Sequence, residues 1–286
     1  MDVILSKSEK IFLTHGIEEG IREDGRAPDD YRTIDLELSV VPNANGSSRI
    51  KLGNSDVLAG VKCEIGEPDP GRPNEGKIIF NVDCSANAGT EWEGRGGDDL
   101  EIEISEFLSK AYSNKSCLDL QILGLIPGEQ CWHLYIDVLI LRNGGNILDA
   151  VSLAVKSALY DTEIPKVLIK MSEKGQSEVE LTDNPSDYII MSTENCPIFV
   201  SICKLGKGHV VDATAKESAC TMAKIVSAVR KDGMITASQK KCSGSLQESS
   251  VLEMYEHCRK VGMELNKTLI SKLSEAKNAP IVGFLA

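Results

Sequence analysis

A glycine-rich stretch with one arginine is the part of the sequence best suited to binding an anion. Residues 93–99 are Glu-Gly-Arg-Gly-Gly-Asp-Asp and open a predicted helix that runs to about Tyr112. Glycines before a helix let backbone N–H groups point at a phosphate, and Arg95 adds a fork of donors. A structural interpretation competes, because Asp98 and Asp99 can cap the same helix and satisfy the same donors.

Other polar residues do not combine into a recognisable catalytic motif. Ser152, Cys131 and His133 predict no nucleophile, since a nucleophile and its base must meet in space and nothing in their spacing requires it. The run Gly206-Lys207-Gly208 is too short for a phosphate-binding loop of the GxxxxGK[ST] type. We expect no metal and no cofactor.

Composition excludes several classes of protein. The 286 residues carry a net charge of −12, whereas a chain that grips RNA or DNA by itself is usually basic. Nine cysteines, an odd number with no CxxC pair, indicate buried reduced thiols rather than a zinc site. No apolar run approaches the roughly 20 residues of a membrane span. Without a signal-peptide pattern at the N-terminus, we expect an intracellular protein and no membrane partner.

A strand followed by a helix forms the predicted centre of the fold. Trp132 to Leu141 is rich in β-branched and aromatic residues, which is typical of a buried strand. Asn143-Gly144-Gly145-Asn146 interrupts it, and Ile147 to Tyr160 then has helical spacing with apolar residues nearly all round. Three charged residues mark the predicted polar side of this helix: Asp149, Lys156 and Asp161.

The remaining elements predict an α/β (α+β) domain. A capping box at Ser6 and Glu9 begins a leading helix, after which the first ninety residues read as an antiparallel sheet. Short strands between Ser177 and Ala237 predict a second sheet. Leu246 to Leu273 has the spacing of a long amphipathic helix. The order suggests two similar halves in one compact unit.

Five stretches, in this order and spacing along nearly the whole chain, resemble the RNase PH family. Within that family the chain is similar to the non-catalytic ring subunits of the RNA exosome. The stretches are Glu23-Asp24-Gly25-Arg26, the run 93–100, Gly144-Gly145-Asn146, His209-Val210-Val211-Asp212-Ala213-Thr214 and Val282-Gly283-Phe284-Leu285.

The resemblance implies an RNase PH-like fold of two subdomains. The N-terminal one, residues 1–190, is expected to resemble ribosomal protein S5 domain 2, and residues 191–286 form a smaller C-terminal one. The expected partners are other RNase PH-type ring subunits, cap subunits and RNA threaded through the ring. Exosome subunits of this kind are expected in the nucleus, nucleolus and cytoplasm.

The same resemblance implies that the catalytic residues have been lost. Enzymes of the family cut RNA from its 3′ end with phosphate, held by arginines at the positions that are Leu100 and Ile147 here. A pair of acids two residues apart is expected at Asp212 and Thr214, where only the aspartate remains. Neither Leu nor Ile can donate a hydrogen bond or carry a charge. Asp212 is then either a leftover metal ligand or a turn or surface carboxylate.

Two functions follow from these observations. The first is a structural ring subunit that supports 3′-to-5′ RNA processing and degradation, including ribosomal RNA maturation, without cutting. The second is an active phosphate-dependent 3′-exoribonuclease whose catalytic residues have moved. In either case Arg95, and Arg72 in the proline-rich loop 67–76, are the candidate RNA contacts.

Overall fold

The structure is a computed structural model that describes residues 5–89, 92, 96–171, 177–182, 184 and 187–278. The helices of the described ranges are α1 (Lys7–Glu18), α2 (Asp98–Tyr112), α3 (Ile147–Asp161), α4 (Ala215–Cys220) and α5 (Glu248–Asn278). The strands of the first half are β1 (Ile34–Leu38), β2 (Gly46–Leu52), β3 (Ser55–Gly66), β4 (Lys77–Cys84), β5 (Gly124–Ile126) and β6 (Gln130–Arg142). Those that follow are β7 (Ile164–Pro165), β8 (Val167–Met171), β9 (Ser177–Leu181), β10 (Tyr188–Ile189), β11 (Ile198–Leu205), β12 (Gly208–Val211), β13 (Ala223–Val229) and β14 (Ile235–Lys241).

The first sheet is mixed, which corrects the prediction of an antiparallel sheet over the first ninety residues. Its strand order is β1-β2-β3-β6-β4, and β5 pairs with β6. The β1–β2–β3–β6 pairings are antiparallel, but β4 joins the sheet only through β6 and runs parallel to it. A parallel pair needs a crossover connection, and α2 lies within the segment that joins the two strands. The sequence pattern of β4 contained no information about which strand it would pair with.

The second sheet is antiparallel throughout, with strand order β12-β11-β13-β14. Helix α5 packs on β11 and β13 with Met254, Cys258 and Val261 buried against them. Two further sheets have two strands each, β7 with β10 and β8 with β9. Their strands come from the part of the sequence between α3 and β11. The short helix α4 was not predicted, because its six residues are too few to show a period.

Helix α3 lies between the two sheets and is buried on every side. It packs on β2 and β3 of the first sheet and on β11 of the second, and each residue from Leu148 to Leu159 is buried. The predicted polar side is therefore wrong, since Asp149 and Lys156 are both 0% exposed. Both charges are compensated inside the protein, which the period of the helix alone could not indicate.

The starts of α1 and α2 differ. Ser6 and Glu9 form the predicted capping box of α1. Helix α2 begins at Asp98 after Gly97, which provides no side-chain cap. The prediction that Asp98 and Asp99 cap this helix is therefore wrong, because both lie inside its first turn, where their charge still favours the helix N-terminus. The adjacent Arg95 lies outside the described residues.

The cysteines are free thiols, five of them buried, and Cys242 is exposed. Burial raises the pKa of the Cys63 and Cys196 thiols to about 12. Such thiols stay protonated at neutral pH and are unreactive. In the described part of the chain no helix has the length and apolar character to span a membrane.

Candidate functional site

The carboxylate of Asp212 is the centre of a buried polar site between the two sheets. Asp212 follows β12 with φ of +48° and is 0% exposed. Its Oδ2 accepts from the Arg32 backbone N at 2.9 Å, from Arg32 Nε at 2.8 Å and from Arg26 Nη1 at 3.1 Å. Its Oδ1 accepts from Arg32 Nη2 at 2.8 Å and from Asn146 Nδ2 at 3.0 Å. Both oxygens are thus fully occupied by donors from the chain itself.

This environment keeps Asp212 ionised and unavailable to a ligand. Burial alone would raise its pKa, but the hydrogen bonds and charge of Arg32 outweigh burial and hold the pKa of the carboxyl below its ordinary value. The turn role expected for Asp212 fits its backbone, whereas the surface role is wrong. Among the residues that the structure describes, no group of three or more His, Cys, Asp and Glu side chains is arranged to hold a metal.

A second buried ion pair lies beside the first. Arg22 Nε and Nη2 donate to the two carboxylate oxygens of Glu217 at 2.9 and 2.7 Å. The same guanidinium donates to the backbone oxygens of Val211 and Asp212, each at 3.0 Å. Glu217 also accepts from the Thr214 backbone N at 2.8 Å, which completes a capping box at the start of α4. The segment before β1 is therefore tied to the segment after β12 by three arginine–carboxylate pairs, Arg22 with Glu217 and both Arg26 and Arg32 with Asp212.

The loop between β6 and α3 completes the site through its backbone. Arg32 donates to the carbonyl oxygens of Gly144 and Gly145 at 2.7 and 3.0 Å. Gly145 has φ of +93°, and a Cβ there would lie 2.8 Å from the backbone N of Ala215. Glycine is required at this point by both its conformation and the close approach of α4. The loop is therefore locked against the second half of the molecule.

Asn146 links Asp212 to a second buried carboxylate. Its Nδ2 donates to Asp149 Oδ2 at 2.8 Å as well as to Asp212. Asp149 also accepts from the Tyr31 hydroxyl at 2.8 Å and from the Ser201 hydroxyl at 2.6 Å. Burial raises the pKa of Asp149, although Lys224 and these hydrogen bonds act against the shift. The network joins the N-terminal segment, α3 and β11.

An open cleft of about 950 Å³ lies over this network. Its cations and anions balance: Arg32, Arg142 and Lys216 face Glu23, Asp24 and Glu217. Lys216 donates to Glu23 at 2.6 Å, while Arg142 is exposed and pairs with no acid in the described ranges. A cleft of this mixed charge offers little attraction to a phosphate, which needs uncompensated cations.

The positions predicted from the family resemblance are only partly brought together. Asp212 is next to the cleft, and Thr214 lines it as the N-cap of α4. Ile147 follows Asn146 directly, is half-buried and packs against the main core. Leu100 lies in the first turn of α2, packs against the same core and does not line the cleft. Both apolar side chains serve the core.

Of the two candidate RNA contacts, the structure describes Arg72, which lies apart from this site. Arg95 falls outside the described residues, and its RNA contact stays a prediction. The Arg72 side chain is 51% exposed in the 67–76 loop, with its Nη1 3.8 Å from Glu75 Oε2. That separation is too long for a hydrogen bond and leaves the guanidinium accessible to another ligand.

Ser152 and His133 have structural partners. The Ser152 hydroxyl donates to the Asp149 backbone oxygen and accepts from the Phe199 backbone N, both at 2.8 Å. His133 is half-buried, and its Nε2 donates to the backbone oxygen of Glu67 at 2.9 Å. Neither side chain is arranged to activate a nucleophile.

Sequence reasoning missed most of the residues that build the site. One local signal was present, since Thr214 and Glu217 have the spacing of a capping box. The others are far apart in sequence, and nothing local shows that they meet. The missed residues are Arg22, Arg26, Arg32, Asn146 and Glu217.

Comparison with known protein families identifies the family to which this chain belongs. Residues 30–165 match domain 1 of RNase PH, the 3′ exoribonuclease family, and residues 195–258 match domain 2. The chain belongs to the RNase PH family. Exosome complex component Rrp42 of Sulfurisphaera tokodaii is 37% identical over 253 residues, which covers 87% of this chain and 90% of that protein. The putative exosome complex exonuclease RRP42 of Dictyostelium discoideum is 29% identical over 325 residues, covering 96% of this chain and 99% of that protein.

Solved structures of RNase PH-type proteins share the fold. The Archaeoglobus fulgidus exosome with RNA bound to the active site contains a chain that superposes with a TM-score of 0.78 at 26% identity. That likeness covers 91% of this chain and 97% of the other. Rice Rrp46 superposes with a TM-score of 0.62 at 16% identity over 88% of this chain and supports the fold alone.

Proposed function

We propose that this RNase PH-type chain is a non-catalytic subunit of an exosome core ring. The observation that carries the proposal is the state of Asp212, whose two oxygens are taken up by Arg26, Arg32 and Asn146. A carboxylate so compensated is neither a metal ligand nor a proton acceptor. Arg26 and Arg32 neutralise this acid, so their charges do not serve a phosphate nucleophile.

The residues at the expected phosphate-binding positions support the same conclusion. Leu100 and Ile147 are apolar and pack against the core. Phosphate carries a double negative charge near neutral pH and must be held beside another phosphodiester, so its repulsion needs cations. Loss of one stabilising donor typically lowers a rate by about 10² to 10³. Two missing arginines and one missing acid leave activity near background.

The names of the relatives support the proposed partners. Proteins named as exosome components are similar to this chain over most of their length. We propose other RNase PH-type ring subunits, cap subunits and RNA as its partners, and the nucleus, nucleolus and cytoplasm as its location. The role is to complete the ring through which RNA passes during processing and degradation, including ribosomal RNA maturation. Arg95 and Arg72 are its proposed RNA contacts.

The test is phosphorolysis by the purified chain, alone and after assembly with ring partners. A 3′-end-labelled RNA is incubated with Mg²⁺ and increasing phosphate while release of nucleoside diphosphate is followed. We expect no phosphate-dependent release from the chain alone. In the assembled ring, Arg142→Gln in this chain should leave the rate unchanged.

The opposite result would support the alternative function, an active exoribonuclease whose catalytic residues have moved. Release by the chain alone that rises with phosphate and is abolished by Arg142→Gln would overturn the proposal, since Arg142 is the cation of the cleft that pairs with no acid among the described residues. Asp212→Ala is unsuitable as the catalytic control, because it removes the acid of the half-buried Arg32 and one of the two acids of Arg26. Asp137→Asn, on the exposed face of β6, serves as a matched control.

A further inference from the structure

Helix α1 and the turn after it carry the two most exposed large apolar side chains of the described residues. Phe12 is 71% exposed and Ile21 is 67% exposed. Both line one pocket of about 470 Å³, next to the buried side chains of Leu13 and Ile17. A single exposed apolar residue needs no explanation, but apolar residues grouped around one pocket mark a surface that binds a partner.

The turn after α1 holds one wall of this pocket in a fixed position. Gly20 has φ of +74°, and its N–H donates to Ile17 O at 3.0 Å, while the N–H of Ile21 donates to Gly16 O at 2.7 Å. These two bonds and the left-handed glycine are the features of a Schellman motif, which ends a helix. A Cβ on Gly16 would lie 2.9 Å from Ile21 O, so the chain packs closely at this point. Ile21 is therefore in place before any partner binds.

The apolar contact that usually accompanies this motif is missing. In a Schellman motif the residue at the position of Ile21 often packs against the residue at the position of Gly16 or the one before it. Gly16 has no side chain, and the side chain of His15 is itself 74% exposed. Ile21 therefore gains little cover from its own helix and is available for contact with another protein.

Charge around the pocket favours a cationic partner. Its acids are Glu19, Glu23 and Glu217, and Arg22, which also lines it, is buried and paired with Glu217. Lys216 offsets Glu23 at 2.6 Å, whereas Glu19 pairs with no cation in the described ranges. The C-terminal end of α1 adds partial negative charge at the same place. An uncompensated acid beside an apolar pocket attracts a lysine or arginine and repels the phosphates of RNA.

A different protein fits this pocket better than a second copy of the chain. The chain has a net charge of −12, so two copies repel each other at close approach. We propose that the pocket binds a segment of a neighbouring ring subunit in which a large apolar side chain lies next to a lysine or arginine. The apolar side chain packs between Phe12 and Ile21, and the cation pairs with Glu19. The inference takes its partner from the ring assembly and so rests on the proposed function.

Photocrosslinking in the assembled ring identifies the occupant of the pocket. The photoreactive residue is introduced as Phe12→p-benzoylphenylalanine, and mass spectrometry maps the crosslinked peptide. We expect a peptide of another ring subunit that carries an apolar residue with a lysine or arginine within about four positions of it. No crosslink from position 12, or a crosslinked segment without a basic residue, would overturn the proposal.

Charge insertions measure what the apolar pocket contributes to assembly. Phe12→Asp and Ile21→Asp should each lower the affinity of the chain for its ring partners at least about tenfold, because each places a charge where an apolar anchor packs. Leu252→Asp, at a residue of α5 that is 61% exposed, adds the same charge elsewhere and should change the affinity less than about twofold. Thermal unfolding of the free variants should be unchanged, which separates lost docking from a lost fold. Equal affinities of the three variants would contradict the proposal.

A charge reversal tests the acidic rim separately. Glu19→Lys should lower the affinity about fivefold at low salt and less at high salt, because the ion pair lies at the exposed edge of the contact. Glu256→Lys makes the same change at an exposed position of α5 and should have less than about twofold effect. Unchanged or stronger binding by Glu19→Lys would contradict a cationic partner.

Competing occupants and a failure of the proposed function give different results. A crosslink from position 12 to RNA, to a second copy of the chain or to another part of the same chain would overturn the inference. A chain that joins no RNase PH-type partner would overturn the proposed function together with the inference. Normal assembly by Phe12→Asp and Ile21→Asp would overturn the inference alone, because the chain would still be a ring subunit.

Discussion

Two buried charged side chains lie near opposite ends of helix α3: Asp212, which follows β12, and Lys156 of the helix itself. The protein compensates their charges in different ways. Before the N-terminus of α3, Asp212 is paired with the charged guanidinium groups of Arg26 and Arg32. Toward its C-terminus, Lys156 is 0% exposed, and its hydrogen bonds to described residues go to neutral acceptors. Its Nζ donates to Cys196 O at 2.7 Å and to Asn266 Oδ1 at 2.6 Å.

The two sites shift the pKa of their charged side chain differently, so they favour different protonation states. At Asp212 opposite charge outweighs burial, and the lowered pKa keeps the carboxyl ionised. At Lys156 dipoles replace water but supply no opposite charge, so burial lowers the pKa to about 8. The first site is a fixed clamp between the halves of the molecule. The second can lose its proton near physiological pH.

The largest expected effect follows from removing the charge at the arginine clamp. Asp212→Asn leaves the half-buried Arg32 without its acid and Arg26 with Asp24 alone, and it should lower the free energy of unfolding by about 3–5 kcal/mol. Because the folded pKa is lowered, this stability is present above the ordinary value of 3.8 and is lost as the pH falls through the folded pKa. Denaturant unfolding at pH 7 measures it. The exposed control Asp137→Asn should cost less than about 0.5 kcal/mol, and equal losses in the two variants would contradict the clamp.

Substitution of Lys156 should cost less stability than substitution of Asp212, and the cost should change with pH in the alkaline range. Lys156→Met leaves Cys196 O and Asn266 Oδ1 without a donor and should cost about 1–3 kcal/mol. Between the folded pKa of about 8 and the ordinary value of 10.5, the unfolded chain binds more protons than the folded chain. The wild type should therefore gain stability relative to Lys156→Met as the pH rises through that window. A pH-independent difference between the two proteins would show that Lys156 keeps an unshifted pKa.

Substitution of Thr214 tests whether the N-cap of α4 contributes to the buried arginine–carboxylate pairs. Thr214→Ala removes the hydroxyl that accepts from the Glu217 backbone N at 3.3 Å and should cost about 1 kcal/mol. Thr214→Ser keeps the acceptor and should be close to neutral. Thermal unfolding of both variants measures the cost. A loss as large as that of Asp212→Asn would mean that Thr214 also holds the buried ion pairs.

The smallest effect on stability is expected at the exposed cation of the 67–76 loop. Arg72→Glu should change the free energy of unfolding by no more than about 0.5 kcal/mol, because exposed ion pairs contribute little. As a proposed RNA contact, the same variant should lower crosslinking of RNA to the assembled ring. Arg95→Glu is the parallel substitution for the other candidate. Unchanged crosslinking would remove the corresponding arginine from the RNA path.

Local patterns predicted the elements whose residues repeat with a clear period. The predicted strand Trp132–Leu141 lies within β6, and the predicted helix Ile147–Tyr160 is α3 to within one residue. Both succeed because the burial of a face imposes a period of two or of 3.6 residues. The antiparallel pairing of β4 was wrong because pairing depends on the crossover through α2.

The charged residues show where local reasoning ends. By itself the sequence determined that α3 is apolar nearly all round, that nine thiols carry no zinc motif and that Leu100 and Ile147 have no charge. Only the tertiary structure decided that Lys156 is buried and that Asp212 is enclosed by arginines about 180 residues earlier. The physical reason is that the cost of burying a charge depends on its partners in space. Those partners are set when the two sheets close on α3.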